Sequence, residues 1–131
     1  SIIPTTTGAA KALTKIFPEL SNVIGGCGIR VPVPNGSLTD MTLNVKTSTS
    51  IEEVNTLFKK ASETHLKGIL QYSEVPLVSI DIVGNPYSCV FDADMTSVIG
   101  GHLIKLIGWY DNERGYSHRL IDLILKMNLY L

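Results

Sequence analysis

Apolar and polar side chains alternate along several stretches of this chain, and each such stretch predicts a β-strand. Residues 29–33 and 41–46 show this period of two, which is typical of strands with one buried face. The Asn35-Gly36 pair lies between them and favours a tight hairpin turn. Further strands are predicted over residues 68–72, 78–82, 88–91, 95–99 and 102–107.

Three other stretches place apolar side chains at helical spacing. The first follows three threonines that suit an N-cap, and it is expected to end at Pro18. The second covers residues 51–63, where Ser50 and Glu53 have the spacing of a capping box. The third follows a polar turn at residues 111–115, and its apolar stripe comprises Tyr116, Leu120, Leu123, Ile124 and Met127. Because strands separate these helices, the pattern predicts an α+β domain whose largely antiparallel sheet has helices packed on one face.

Composition narrows the class of protein. With 131 residues, of which 44% are hydrophobic and 18% charged, the chain is long enough for one domain with its own core. The net charge of -1 gives no reason to expect nucleic acid or an anionic membrane as a partner. No apolar run approaches the roughly 20 residues of a membrane span. Cys27 and Cys89 match no metal or redox spacing, so we expect reduced thiols, no metal and a cytoplasmic location.

Two groups near the start of the chain suit an anion. The first helix begins after Thr7 and Gly8, where free N–H groups, hydroxyls and the positive end of the helix dipole favour a phosphate. Plain helix capping explains the same residues equally well. Arg30 carries a planar fork that suits a phosphate or a carboxylate, and its alternative role is a solvated surface charge.

Residues 109–119, with the sequence WYDNERGYSHR, carry a second kind of binding group. We expect the neutral amide of Asn112 to come together with the aromatic side chains of Trp109, Tyr110 and Tyr116. An amide beside aromatic rings can hold a planar ligand that has an amide of its own, because it donates one hydrogen bond and accepts another. A capped helix start with packed aromatics is the alternative interpretation.

Groups for breaking a bond are much less evident. The three histidines, His65, His102 and His118, are scattered and form no HxxxH or CxxH pattern. Asp92 and Asp94 form a carboxylate pair, which a turn at a strand end explains equally well. The residues therefore predict sites that bind an anion and a planar amide, with no catalytic residue and no metal ligand.

The strings IIPTTTGAAKAL, RVPVPNGSLTD, LKGILQYSE and WYDNERGYSHRLIDL resemble the catalytic domain of phosphorylating glyceraldehyde-3-phosphate dehydrogenases. The match keeps order and spacing from about Ile2 to Met127, so residues 1–131 resemble the C-terminal part of that domain. The resemblance implies a mixed, largely antiparallel sheet with helices on one side. It also implies that Thr7 and Gly8 bind a phosphate, Arg30 binds substrate phosphate, Asn112 holds the nicotinamide carboxamide of NAD, and Tyr116 lies near that ring.

Several parts of the family pattern have no counterpart among these residues. The segment with the cysteine nucleophile, its partner histidine and the Gly-rich fingerprint of the NAD-binding domain do not occur here. The opening Ser1-Ile2-Ile3-Pro4 also reads as the continuation of a longer chain. The resemblance thus implies a fragment of a glycolytic, NAD-dependent aldehyde dehydrogenase that is inactive alone, with NAD bound by the full-length parent.

The implied partners are a sugar phosphate or inorganic phosphate, the N-terminal half of the parent enzyme and further copies in a homo-oligomer. Two alternatives stay open. Erythrose-4-phosphate dehydrogenases share these motifs closely, and the choice between NAD and NADP depends on residues upstream. The chain is alternatively a non-catalytic assembly module, because apolar surface that has lost its cover drives association.

Overall fold

The computed structural model describes residues 1–129, and the chain divides into two units, Ser1–Pro34 and Asn35–Leu131. The first unit pairs strand β1 (Ile3–Thr5) antiparallel with β2 (Gly28–Arg30). Helix α1 (Ala9–Ile16) lies between them in sequence and is followed by a 3-10 turn over Pro18–Leu20. The predicted helix therefore stops before the proline, as expected.

The first unit differs from the prediction at its strands. β2 ends at Arg30, short of the predicted residue 33, because Pro32 and Pro34 have no N–H to donate to a sheet. β1 was not predicted, since a three-residue strand has too little pattern to detect. None of the residues in 1–34 whose burial the structure describes is buried.

The second unit contains a four-stranded sheet. Its strands are β3 (Ser37–Asn44), β4 (Leu70–Ser73), β5 (Cys89–Ile99) and β6 (Leu103–Tyr110), and their order across the sheet is β3-β6-β5-β4. β6 pairs antiparallel with β3 and β5, whereas β4 pairs parallel with β5. The predicted α+β class and the mixed, largely antiparallel sheet are confirmed.

Helix α2 (Ile51–Glu63) covers part of one face of this sheet. The Ser50 hydroxyl accepts from the Glu53 N–H at 3.2 Å, and the Glu53 carboxylate accepts from the Ser50 N–H at 3.1 Å. This confirms the predicted capping box. Phe58 stacks on Phe91 with ring centroids 4.1 Å apart. The buried core around this contact consists of Val54, Leu70, Phe91, Ala93, Ile104 and Leu106.

Three local predictions in this unit are wrong. Asn35-Gly36 makes no hairpin, because the partner of β3 is β6. Residues 88–91 and 95–99 belong to one strand, β5, whose register shifts between Asp92 and Ser97. The strand predicted at 78–82 is instead a short helix, α3 (Ser79–Ile82).

Helix α3 forms because the Asp81 side chain accepts a hydrogen bond from a backbone N–H that would otherwise pair with a neighbouring strand. The Asp81 carboxylate accepts from the Val78 N–H at 2.9 Å. The turn buries Ile82, which is 1% exposed, and leaves Ile80 66% exposed. Alternating apolar residues over five positions do not separate these two outcomes.

Helix α4 (Arg114–Asn128) is the predicted third helix, and it buries only Gly115. A Cβ at that glycine would lie 2.8 Å from the carbonyl oxygen of Tyr87, so the helix start packs closely there. The rest of the helix keeps its apolar stripe on the surface. The exposed side chains include Tyr116, Leu120, Leu123, Ile124 and Met127.

Candidate functional site

The N-terminus of α1 brings two of the predicted phosphate-binding residues together. The predicted threonine cap is wrong in detail, because Gly8 occupies the N-cap position. The Thr7 hydroxyl nevertheless accepts from the Ala9 N–H at 3.2 Å. It thereby satisfies one of the N–H groups that the first turn of a helix leaves without an intrahelical partner.

A cavity of about 760 Å³ opens to solvent at this helix start. Volumes of this order suit a small ligand. The Lys11 side chain and the positive end of the α1 dipole make the cavity attractive to an anion. The lining residues are Pro4, Thr5, Thr6, Thr7, Gly8, Lys11, Gly26 and Cys27.

Arg30 is not among the residues that line this cavity. It is the last residue of β2, where it pairs with Ile3, and it is exposed. The first unit thus gathers Thr7 and Gly8 into one site and leaves Arg30 on the neighbouring strand, open to solvent.

The turn before α4 is fixed by the carboxylate of Asp111, which is 3% exposed. Its Oδ1 accepts from the N–H of Glu113 at 3.1 Å and of Arg114 at 2.8 Å. Its Oδ2 accepts from Asn35 Nδ2 at 2.9 Å and from the Gly84 N–H at 2.8 Å. Hydrogen bonds from the Arg114 and Gly84 N–H groups hold the pKa of Asp111 below its usual value.

Asn112 follows directly and is exposed. Its Oδ1 accepts from the Ser37 hydroxyl at 3.3 Å, and its Nδ2 donates to Glu113 Oε1 at 3.2 Å. Gly115 N–H donates to the Asp111 carbonyl, so the helical hydrogen-bond pattern already includes this turn. Asn112 and Tyr116 are four residues apart and therefore lie on one side of the helix. Both side chains are open to solvent, and Tyr116 is 65% exposed.

The expected gathering of all the aromatics around Asn112 does not occur. Trp109 and Tyr110 are consecutive in β6, so their side chains point to opposite faces of the sheet. The Trp109 indole donates to Asp92 Oδ2 at 2.9 Å, and Asp92 is 2% exposed. Sequence reasoning missed this buried contact because it joins residues on two strands.

Two of the histidines contact backbone carbonyl oxygens, and Cys89 is partly buried whereas Cys27 is exposed. The ring nitrogens of His102 and His118 lie 3.0 Å from the carbonyl oxygens of Val45 and Arg114, respectively. Burial raises the pKa of the Cys89 thiol, which disfavours its reactive thiolate. Within residues 1–129, no three His, Cys, Asp or Glu side chains form a group that could hold a metal ion. No helix in that range is long and apolar enough to cross a membrane.

Comparison with known proteins gives one consistent result. Residues 1–112 match the family model of the glyceraldehyde 3-phosphate dehydrogenase C-terminal domain. Glyceraldehyde-3-phosphate dehydrogenase 2 of Streptomyces avermitilis is 54% identical over 123 residues, which cover 94% of this chain and 37% of that protein. Glyceraldehyde-3-phosphate dehydrogenase of Mycobacterium bovis is 49% identical over 124 residues, covering 95% of this chain and 36% of that protein. The chain thus spans little more than a third of the length of these relatives.

Proposed function

The chain belongs to the glyceraldehyde-3-phosphate dehydrogenase family, and from this premise we propose that it works as the C-terminal part of such an enzyme. In this role it supplies phosphate-contacting and nicotinamide-contacting groups to the NAD-dependent, phosphorylating oxidation of glyceraldehyde 3-phosphate. The observation that carries the proposal is the cavity at the α1 N-terminus, which Thr7 and Gly8 line together. The family resemblance assigns these two residues to phosphate.

The phosphate role follows from the chemistry of that helix start. A phosphate binds there through backbone N–H groups and the Thr7 hydroxyl, with the helix dipole and the nearby Lys11 adding positive potential. Arg30 is assigned to substrate phosphate by the resemblance. Its exposed guanidinium is free to make a bidentate contact of the kind that phosphate favours.

The nicotinamide role rests on Asn112. Its carboxamide matches the ligand's own carboxamide in donors and acceptors. The Ser37 hydroxyl and the Glu113 carboxylate each use one site of this amide, which leaves a second lone pair on Oδ1 and a second N–H on Nδ2 for a ligand. Tyr116 offers an aromatic ring on the same side of the helix, which suits contact with a planar ring.

We further propose that this chain alone does not catalyse the reaction. The family forms a covalent intermediate on an activated cysteine, and activation requires a lowered thiol pKa or an adjacent base. Burial shifts the pKa of Cys89 in the opposite direction. The reactive cysteine, its histidine and the NAD-binding fold are assigned to the part of the enzyme that this chain does not span.

The exposed apolar side chains of α4 favour a binding partner within the same enzyme. Its leucine, isoleucine and methionine side chains are 43% to 66% exposed, and the relatives are about two and a half times as long as this chain. We propose that the remaining part of the longer chain packs on this helix. Self-association through the same exposed surface is the alternative role, that of a non-catalytic assembly module, and the helix's exposure is the observation that favours it.

A chimeric enzyme tests the proposed function. In it, this chain replaces the matching segment of the Streptomyces avermitilis relative. The proposal predicts NADH formation from glyceraldehyde 3-phosphate, with erythrose 4-phosphate as the comparison substrate. Losing one charge-assisted contact in Arg30→Ala raises the KM for glyceraldehyde 3-phosphate about 10- to 100-fold, and Asn112→Ala raises the KM for NAD about tenfold.

Lys60→Ala on the exposed side of α2 is the control variant, and both KM values should stay unchanged in it. Unaltered KM values in the Arg30 and Asn112 variants, with the chimera active, would refute these assignments. Preference for erythrose 4-phosphate would transfer the proposal to that substrate.

A further inference from the structure

The carboxylate of Asp111 joins three segments that are distant in sequence. Asn35 lies just before β3, Gly84 follows α3, and the two remaining donors belong to the turn that opens α4. Each carboxylate oxygen accepts two hydrogen bonds, which fills the lone-pair sites that a carboxylate offers. The Asn35 side chain is itself fixed at its other end, because its Oδ1 accepts from the Gly36 N–H at 2.7 Å.

We propose that Asp111 is a positioning residue that sets the orientation of the Asn112 carboxamide. It holds the backbone on both sides of that carboxamide, because it fixes the turn that carries Asn112 and the segment that leads into Ser37. The Ser37 hydroxyl is the group that donates to Asn112 Oδ1. The inference rests on the proposed function, in which this amide meets the nicotinamide.

The role requires a group that only accepts hydrogen bonds. All four partners of Asp111 are N–H donors. An asparagine at this position has the same shape but replaces one acceptor oxygen by an NH2 group, which would face two donors. Asp111→Asn therefore removes about half of the bonds without changing side-chain volume, which makes it the sharpest single variant.

The primary test is NMR spectroscopy of the 131-residue chain labelled with 15N, with no cofactor present. In Asp111→Asn, the two side-chain NH2 signals of Asn112 should move towards the positions of a free asparagine, while core amides of β5 and β6 stay in place. Ser50→Ala, which removes the cap of α2, is the matched control and should lower thermal stability without moving these signals.

A gentler pair of variants decides the question if Asp111→Asn does not fold. Asn35→Ala removes one bond to Asp111, and Asn55→Ala removes one bond from an asparagine to the Ala93 carbonyl elsewhere in the unit. The proposal predicts that only Asn35→Ala shifts the Asn112 signals. Unmoved signals in Asp111→Asn or in Asn35→Ala, or an equal shift in a control, would overturn it.

Failure of this inference is distinct from failure of the proposed function. If the Asn112 signals depend on Asp111 but Asn112→Ala leaves the KM for NAD unchanged in the chimera, the positioning holds and the nicotinamide role fails. If both hold, Asp111→Asn in the chimera raises the KM for NAD about tenfold and changes the KM for phosphate much less.

Discussion

At the scale of single residues, Asp111 is expected to make the protein sensitive to acid. The Arg114 and Gly84 N–H groups favour its ionised form, so its pKa is lower in the folded chain than in the unfolded chain. A depressed pKa contributes stability that is complete above the unfolded value of about 3.9 and is lost as the pH falls through the folded value.

The thermal midpoint of the wild-type chain should therefore decline below about pH 4 more steeply than that of Asp111→Asn. Differential scanning calorimetry over a series of acidic buffers measures this difference. The other carboxylates act equally in both proteins and cancel in the comparison. Parallel declines of the two thermal midpoints would therefore show that Asp111 has no special role in stability.

At the scale of elements, the start of β3 depends on a glycine that lies against α3. Gly36 has a φ of +90°, and a Cβ there would lie 2.5 Å from the Ser79 carbonyl oxygen. Gly84 has a similar φ of +81° but open space around it. The two glycines form a matched pair that separates backbone strain from a steric clash.

We predict that Gly84→Ala lowers the free energy of unfolding by about 1–2 kcal/mol, the cost of a left-handed conformation alone. Gly36→Ala should cost clearly more, because α3 must also move away. Urea unfolding followed by circular dichroism gives both values. Equal losses in the two variants would contradict the close packing of α3 on the start of β3.

Local pattern predicted the elements that local chemistry determines. The capping box of Ser50 and Glu53, for example, specifies the start of α2 within four residues of sequence. The strand predicted at residues 78–82 is wrong because the Asp81 carboxylate accepts a hydrogen bond from the Val78 N–H and stabilises a helical turn there. The pairing of β3 with β6 could not be predicted from local pattern, because no residue near Asn35 indicates that the partner strand ends at Tyr110.

The candidate site divides in the same way. Thr7, Gly8, Arg30, Asn112 and Tyr116 were named from residue chemistry and family resemblance. The hydrogen bonds that fix this region were not foreseen, because Asp111 meets partners 27 and 76 residues away in sequence. Short motifs therefore indicate candidate ligand-binding residues more readily than the residues that fix the surrounding structure.

At the scale of the whole molecule, the exposed stripe of α4 should drive association. Leu120 is 43% exposed and Ile124 is 66% exposed, and both lie on a helix that buries only Gly115. Light scattering should show a mean mass that rises with concentration. Ile124→Lys should reduce this rise, whereas Leu57→Lys on α2, which is also 66% exposed, should not. Equal effects of the two substitutions would exclude α4 as the associating surface.

In the described chain, all buried core residues follow residue 34 in the sequence. The residues that line the proposed phosphate cavity all precede residue 34. Together with the length of the relatives, this separation supports the proposal that the chain contributes binding groups to a larger enzyme. The proposed role requires no nucleophile among these 131 residues.

The most direct test of this proposal is the rate of NADH formation by the pure 131-residue chain, supplied with glyceraldehyde 3-phosphate, NAD and phosphate. We predict a rate equal to that of a blank without protein, whereas the chimera under the same conditions produces NADH. Sustained turnover by the isolated chain would contradict the proposal.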